Sequence, residues 1–484
     1  SERNAFLRNR PSIEERTKGL LKYDRPIAAI QSNLTDILAT RAGNTIRRRA
    51  VSQNIAALRD EDSSSPSTDI HQMLDCSESF YSRLYATDHV DITQLDDYFA
   101  SLVDLPVLDA SGQASLVEPI TIEEILSATK AEISKKSSPE MVCSVFNDAL
   151  LRGVYPASWQ DIRVRLLPKK SDLTLLKNWR PISLINCDAK IFTRIINYRM
   201  RGLIDMLINK HQTGFMPGRF IAENGLLLST IMDHARKEKR TDIALLLDQE
   251  KAYDRVHPAY LRKALQRFRF PEPFIHSIIG LFFGNQVRIN VNGYFSHPIT
   301  QQRGLRQGDP LSPILFNLAL EPFLRHILQD TTYRGFTFPP LPSVAVVAPA
   351  PIKVLAYADD ICVFLSDGHD FARLQVHLQA YGRVSNARAN IDKTEAISLN
   401  GDALPEWQAL LRSHSIYSWH DRSSDTSLRY LGFPVISHIR QRRWKPINLW
   451  QSGTCQLSNT VKTVAYTSCG IFPSVLLPPA QVYR

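Results

Sequence analysis

The sequence predicts an α+β fold. From about residue 118, short apolar runs alternate with helical patterns. Val287, Ile289 and Val291 alternate into Asn292-Gly293, the pair favoured by a two-residue type I′ hairpin. Val354–Phe364 reads as two short apolar strands joined by a tight acidic turn. Strands and helices mixed with hairpins in this way argue against a doubly wound parallel sheet.

Residues 1–117 read as a polar, helical N-terminal extension. Its basic cluster Arg47-Arg48-Arg49 suits either phosphate contact or a solvated helix face. Its Ser/Pro/acid-rich stretch Asp60–Asp69 is expected to be a flexible linker. Val164–Leu167 is a short strand ended by Pro168, and Ala189–Leu207 carries apolar residues at helical spacing. Ala244–Leu247 is a fully apolar strand. His257-Pro258 then opens a helix that buries Leu261, Ala264, Leu265 and Phe268, with proline at the position where its missing N–H costs nothing. Asp309-Pro310 is expected to open another helix with the carboxylate as its cap, and with Leu311, Ile314, Leu315 and Leu318 on the core face.

The 484 residues suffice for two to four domains of roughly 100–200 residues each. An apolar fraction of 44% excludes wholesale disorder. With 58 Lys+Arg against 48 Asp+Glu, the net charge of +10 favours an acidic partner, most commonly nucleic acid. Six scattered cysteines form no close pair, which supports neither a zinc module nor a disulfide framework and points to a reducing, intracellular setting. No run reaches the roughly 18 uncharged apolar residues of a membrane span. The apolar stretch Pro339–Val354 holds five prolines and Lys353, so a soluble chain with no membrane partner is expected. The first residue is Ser1 rather than Met, from which a fragment or processed piece is expected.

The chemistry-bearing residues are acids beside apolar strands. Asp248 follows Ala-Leu-Leu-Leu, and Asp359 and Asp360 lie within Val-Leu-Ala-Tyr-Ala-Asp-Asp-Ile. Carboxylates there are costly unless compensated, and Mg²⁺, a hard cation, takes carboxylate oxygens. Two such elements side by side hold two ions roughly 3.5–4 Å apart, an arrangement that activates a 3′-oxygen and neutralises a leaving pyrophosphate. An isolated Asp-Asp is equally well a plain turn. Here it stands in order with four further blocks: Asn178-Trp179-Arg180-Pro181, Asp248–Val256, Arg306-Gln307-Gly308-Asp309-Pro310-Leu311-Ser312-Pro313 and Arg429–Phe433.

On these blocks, residues 160–435 resemble the reverse transcriptase of non-LTR (LINE-type) retrotransposons, and Phe80–Tyr85 resembles a piece often found upstream of that domain. The resemblance implies a right-hand polymerase. Residues 1–117 would be an extension, 118–243 the fingers, 244–435 the palm, and 436–484 a basic, truncated thumb. It implies an RNA-directed DNA polymerase using two Mg²⁺ ions, dNTPs, an RNA template and a DNA primer. Asp248 and Asp359 would be metal ligands and Asp360 a third, supporting acid. Tyr253 would exclude a ribose 2′-OH by clash, the alternative being a core aromatic at the turn. Gln307 would contact nucleotide or template beside Gly308, whose lack of a Cβ permits close approach. Arg180 and Lys169 would grip the triphosphate, although Lys169 is equally one of several surface lysines. Lys393 would protonate pyrophosphate as a general acid. Tyr430, Leu431 and Gly432 would grip the primer end, and His211–Phe215 with Pro217–Arg219 would line the template path.

Three departures from that pattern bear on activity. The early fingers block, Ser134–Val142, is shortened; the chain ends soon after Gly432; and neither an endonuclease nor a zinc knuckle is present, so integration would need a separate endonuclease. The alternative reading is therefore a decayed or repurposed relic that binds nucleic acid without polymerising. An RNA-copying RNA polymerase is disfavoured by Tyr253. Thr426–Arg484 holds seven Lys/Arg and no acid, a field that would strengthen duplex binding. Nuclear location follows from the resemblance, with Arg440–Lys445 serving as an import signal or a thumb patch.

Overall fold

The computed structural model describes residues 54–60, 65–129, 139–169, 171–339, 349–424 and 428–435. Arg47–Arg49, the fingers segment 134–138 and the basic stretch 436–484 lie outside them. The described residues form the mixed α+β structure that the sequence predicts, built around two sheets.

The first sheet contains β1 (Asp161–Pro168) and β2 (Trp179–Leu184). The second begins with β3 (Ile243–Leu247), after which the chain returns to the first with β4 (Asn285–Val291), β5 (Tyr294–Phe295) and β6 (Ile299–Gln301). β1 runs antiparallel to β2 and parallel to β4. Alternation puts Ile162, Val164, Leu166, Val287, Ile289 and Val291 on one buried face. Asn292 and Gly293 both have positive φ, as the predicted hairpin requires, and Val291 pairs with Tyr294.

The N-terminal segment covers this sheet rather than hanging from it. Ile55, Leu58 and, from helix Ile70–Tyr85, Met73, Tyr81 and Leu84 share a core with β1 and β4. Asn292 holds both backbone groups of Ile55, each at 2.8 Å. The stretch expected to be a flexible linker is anchored at both described ends. Leu58 pairs with Ser67, Arg59 bonds Asp172 at 3.0 Å, and Arg83 bonds Asp60 at 2.9 Å. Residues 61–64, the middle of that stretch, lie outside the described residues.

β3 lies inside the second sheet, flanked by β8 (Asp360–Leu365) and β9 (Glu395–Ser398), with β7 (Val354–Tyr357) and β10 (Ser418–His420) at the edges. Its apolar composition has a direct cause: both faces are covered. Ile243, Leu245 and Leu247 meet helices Pro258–Arg267, Ser312–Gln329 and Gly368–Ser385 on one side. Ala244, Cys362 and Phe364 meet helix Ile221–Lys237 and Leu428 and Tyr430 of the small hairpin β11 (Leu428–Tyr430) and β12 (Phe433–Val435) on the other.

The helix after Asp309 begins later than the sequence suggests, at Ser312. Asp309 instead closes the preceding turn, its Oδ1 accepting from Leu311 N at 2.9 Å. The Pro258 helix starts as expected, with the His257 ring accepting from Ala259 N.

Candidate active site

Antiparallel pairing decides which acids meet. Leu247 at the end of β3 faces Ile361 at the start of β8, so Asp248 leaves its strand beside the β7–β8 turn that carries Asp359. The segment after Asp248 is tied to residues 388–390, with Glu250 N donating to Arg388 O (2.9 Å) and Asn390 N to Asp248 O (2.8 Å). That tie brings the loop carrying Lys393 to the same place.

These residues open onto a cleft of about 1130 Å³. Of the predicted site residues it is lined by Asp248, Asp359, Tyr253, Gln307, Gly308, Arg180, Lys169 and Lys393. Its walls carry ten Lys/Arg against seven Asp/Glu, so the cleft as a whole attracts anions while its acids form a local negative centre.

The electrostatics follow from that placement. Burial raises the pKa of Asp248, opposed by Lys393, by a hydrogen bond with Asn390 and by Lys169. Burial and then Asp248 raise that of Asp359, while Lys169 lowers it. Lys169 is itself pushed down by burial, Arg180 and Lys393, so three cations crowd together near the acids. Desolvation holds both carboxylates up, and Asp248 adds to the shift of Asp359. Among the described residues, no three His, Cys, Asp or Glu side chains converge to hold a metal on their own.

Asp360, expected as a third, supporting acid, is exposed and is not among the residues lining the cleft. Successive side chains of an extended strand point to opposite sides. Although the surface of Asp360 is exposed, desolvation by the chain packed around its carboxyl, then Asp359 and Asp248, push its pKa up to about 6.

The Tyr253 ring lies flat against Phe316, centroids 4.5 Å apart, with one side on the cleft. Gly308, at φ 101°, lets the chain pass Ile182 and Ser183, where Ser183 N donates to Gln307 O at 2.8 Å. Gln307 does not point freely at substrate: its Nε2 donates to both oxygens of Asp254, each at 3.2 Å. Asp254 is buried, and desolvation pushes its pKa up to about 6 despite Lys251 and Gln307. The sequence reading assigned it no role.

Two other expectations change. Tyr430 is a core residue with 3% of its surface exposed, and Leu431-Gly432 forms the β11–β12 turn with both φ positive; none of the three lines the cleft. In the block at 211–219 only Phe215 reaches the cleft. His211, Gln212 and Thr213 are buried, and Arg219 is engaged by Asp205 and by the carbonyls of Ile208, Asn209 and Gln212.

Residues 167–435 match the family described as Reverse transcriptase (RNA-dependent DNA polymerase). The Transposon TX1 uncharacterized 149 kDa protein of Xenopus laevis is 31% identical over 380 residues, which are 74% of this chain and 28% of that protein. The Retrovirus-related Pol polyprotein from type-1 retrotransposable element R2 of Popillia japonica is 30% identical over 288 residues, 58% of this chain and 38% of that one. The probable RNA-directed DNA polymerase from transposon BS of Drosophila melanogaster is 25% identical over 285 residues, 54% and 30% respectively. The chain thus spans between 28% and 38% of the length of these relatives. With the family match covering more than half its length, the chain belongs to the reverse transcriptase (RNA-dependent DNA polymerase) family.

Proposed function

We propose that this chain copies RNA into DNA, joining dNTPs to a DNA primer on an RNA template. The second sheet would be the palm and the first sheet, with its covering helix, the fingers. The observation that carries the reading is the meeting of Asp248 and Asp359, both with raised pKa, in a cleft that Lys169, Arg180 and Lys393 also line.

Asp248 and Asp359 would hold Mg²⁺, and their donor chemistry fits it: two carboxylates whose pKa values burial raises despite the lysines near them. When bound, the ions supply the charge that activates the primer 3′-oxygen and stabilises the departing pyrophosphate. The chain's own residues do the rest. Lys169, Arg180 and Lys393 offset the triphosphate charge, and Lys393 is the candidate donor of a proton to pyrophosphate. Tyr253, backed by Phe316, presents a rigid ring beneath the sugar. The new bond joins the primer oxygen to the α-phosphorus as the α–β bridging bond breaks.

Primer extension on an RNA template with dNTPs and Mg²⁺ tests this. The wild-type chain should extend and Asp359→Ala should not. If neither extends while both still shift a primer–template duplex in a salt-dependent way, the binding-only reading replaces this one.

A further inference from the structure

Asp359 sits in a two-residue turn between Tyr357 and Asp360, and the residue before it, Ala358, has φ 52°. That left-handed conformation is ordinary for glycine and costly for alanine, so something outside the turn has to hold it. The holder is visible. The Gln212 side chain is wholly buried; its Oε1 accepts from Ala358 N and from Gly214 N, each at 2.8 Å, and its Nε2 donates to Ala358 O at 3.2 Å. One carboxamide thus grips both backbone groups of the strained residue.

The rest of the segment lies along β7, an edge strand of its sheet. Gln212 pairs with Ala356 in parallel, Ala356 N donates to His211 O, and Thr213 N donates to Ala356 O, the last two at 2.9 Å. Asn317 holds Gly214 O at 2.7 Å and Asn224 holds Ala356 O at 2.9 Å. Gly214 cannot carry a side chain, because a Cβ there would lie 2.2 Å from Ala358 N. Every polar contact of the strap runs toward the turn or secures the strap itself.

We propose that Gln212 is a positioning residue, whose carboxamide locks Ala358 so that the Asp359 carboxylate stands beside Asp248 before nucleotide arrives. The catalytic consequence rests on the polymerase reading; the geometric one does not. A buried amide of this kind is expensive to leave half-satisfied, so the lock is a two-sided requirement of strap and turn.

The test uses the full chain with Gln212→Met, which keeps the length without the hydrogen bonds, and Gln212→Glu, which keeps the acceptor. Three quantities are read: hydrogen exchange at the Ala358 amide, Mn²⁺ affinity by electron paramagnetic resonance, and primer-extension kcat against dNTP KM. Gln212→Met should lose Ala358 protection, bind Mn²⁺ at least about tenfold more weakly and lose at least about tenfold in kcat with KM nearly unchanged, while Gln212→Glu keeps the protection and most of the affinity. Unchanged protection and Mn²⁺ affinity in Gln212→Met would overturn the proposal. So would a folded Gln212→Glu that loses both, and that variant decides the matter if Gln212→Met does not fold. A wild-type chain that fails to extend primers sinks the polymerase reading, whereas the exchange and Mn²⁺ measurements still judge the lock.

Discussion

Asp254 changes what Gln307 is free to do. By accepting both contacts from the Gln307 amide it fixes that side chain against the cleft wall, at the cost of a buried carboxylate. Its pKa of about 6 lies above the ordinary 3.8. Between those values the folded state keeps a proton that the unfolded chain has released, so this group's contribution to stability falls as pH rises through that window and stays low above it. Asp254→Asn, which retains an acceptor for Gln307, should therefore be more stable than the wild type at pH 7, by on the order of 2 kcal/mol, with the gap closing near pH 4. Thermal melting at the two pH values checks this; a variant less stable at pH 7 would contradict it. Tyr253 carries a different expectation. Tyr253→Ala should raise rNTP incorporation relative to dNTP in primer extension, and an unchanged ratio would leave the ring as a core aromatic packed on Phe316.

At the scale of elements, the parts read most directly from sequence were those whose signal is local. β3 is apolar throughout because it is covered on both faces, and acids at the ends of such strands stand out. The Asn292-Gly293 hairpin was legible for the same reason. What failed depended on partners far along the chain. Gln212 and Ala358 are separated by 146 positions, and Arg59, just before the 60–69 stretch, pairs with Asp172 more than a hundred positions on. The facing of Asp359 and Asp360 in a tight turn, and the two-residue delay of the helix to Ser312, are geometric details that residue type alone does not carry. Gly304 tests one inter-element joint: at φ 94°, its Cβ position lies 2.7 Å from Asp254 O. Gly304→Ala should cost roughly 1–3 kcal/mol. It should also slow extension by loosening the Tyr253–Asp254 turn from the Gln307 segment. Denaturant unfolding reads the first effect; an unchanged midpoint would contradict it.

At the scale of the whole molecule, the two sheets and their helices frame, among the described residues, a broad cleft with a basic excess. Duplex affinity should fall linearly with salt on logarithmic axes, with a slope of about −0.7 to −0.9 for each phosphate neutralised. Affinity that ignores salt would place binding elsewhere. Among the described residues no helix is long and apolar enough to cross a membrane. The measurement that bears most directly on the central claim is single-turnover addition of one dNTP to a primer on an RNA template, by the wild type, Asp359→Ala and Asp360→Ala. Asp359→Ala should lose at least about a thousandfold in rate, equivalent to roughly 4 kcal/mol of barrier, while Asp360→Ala stays within about tenfold. Equal rates for the wild type and Asp359→Ala would contradict the assignment of chemistry to the Asp248–Asp359 pair.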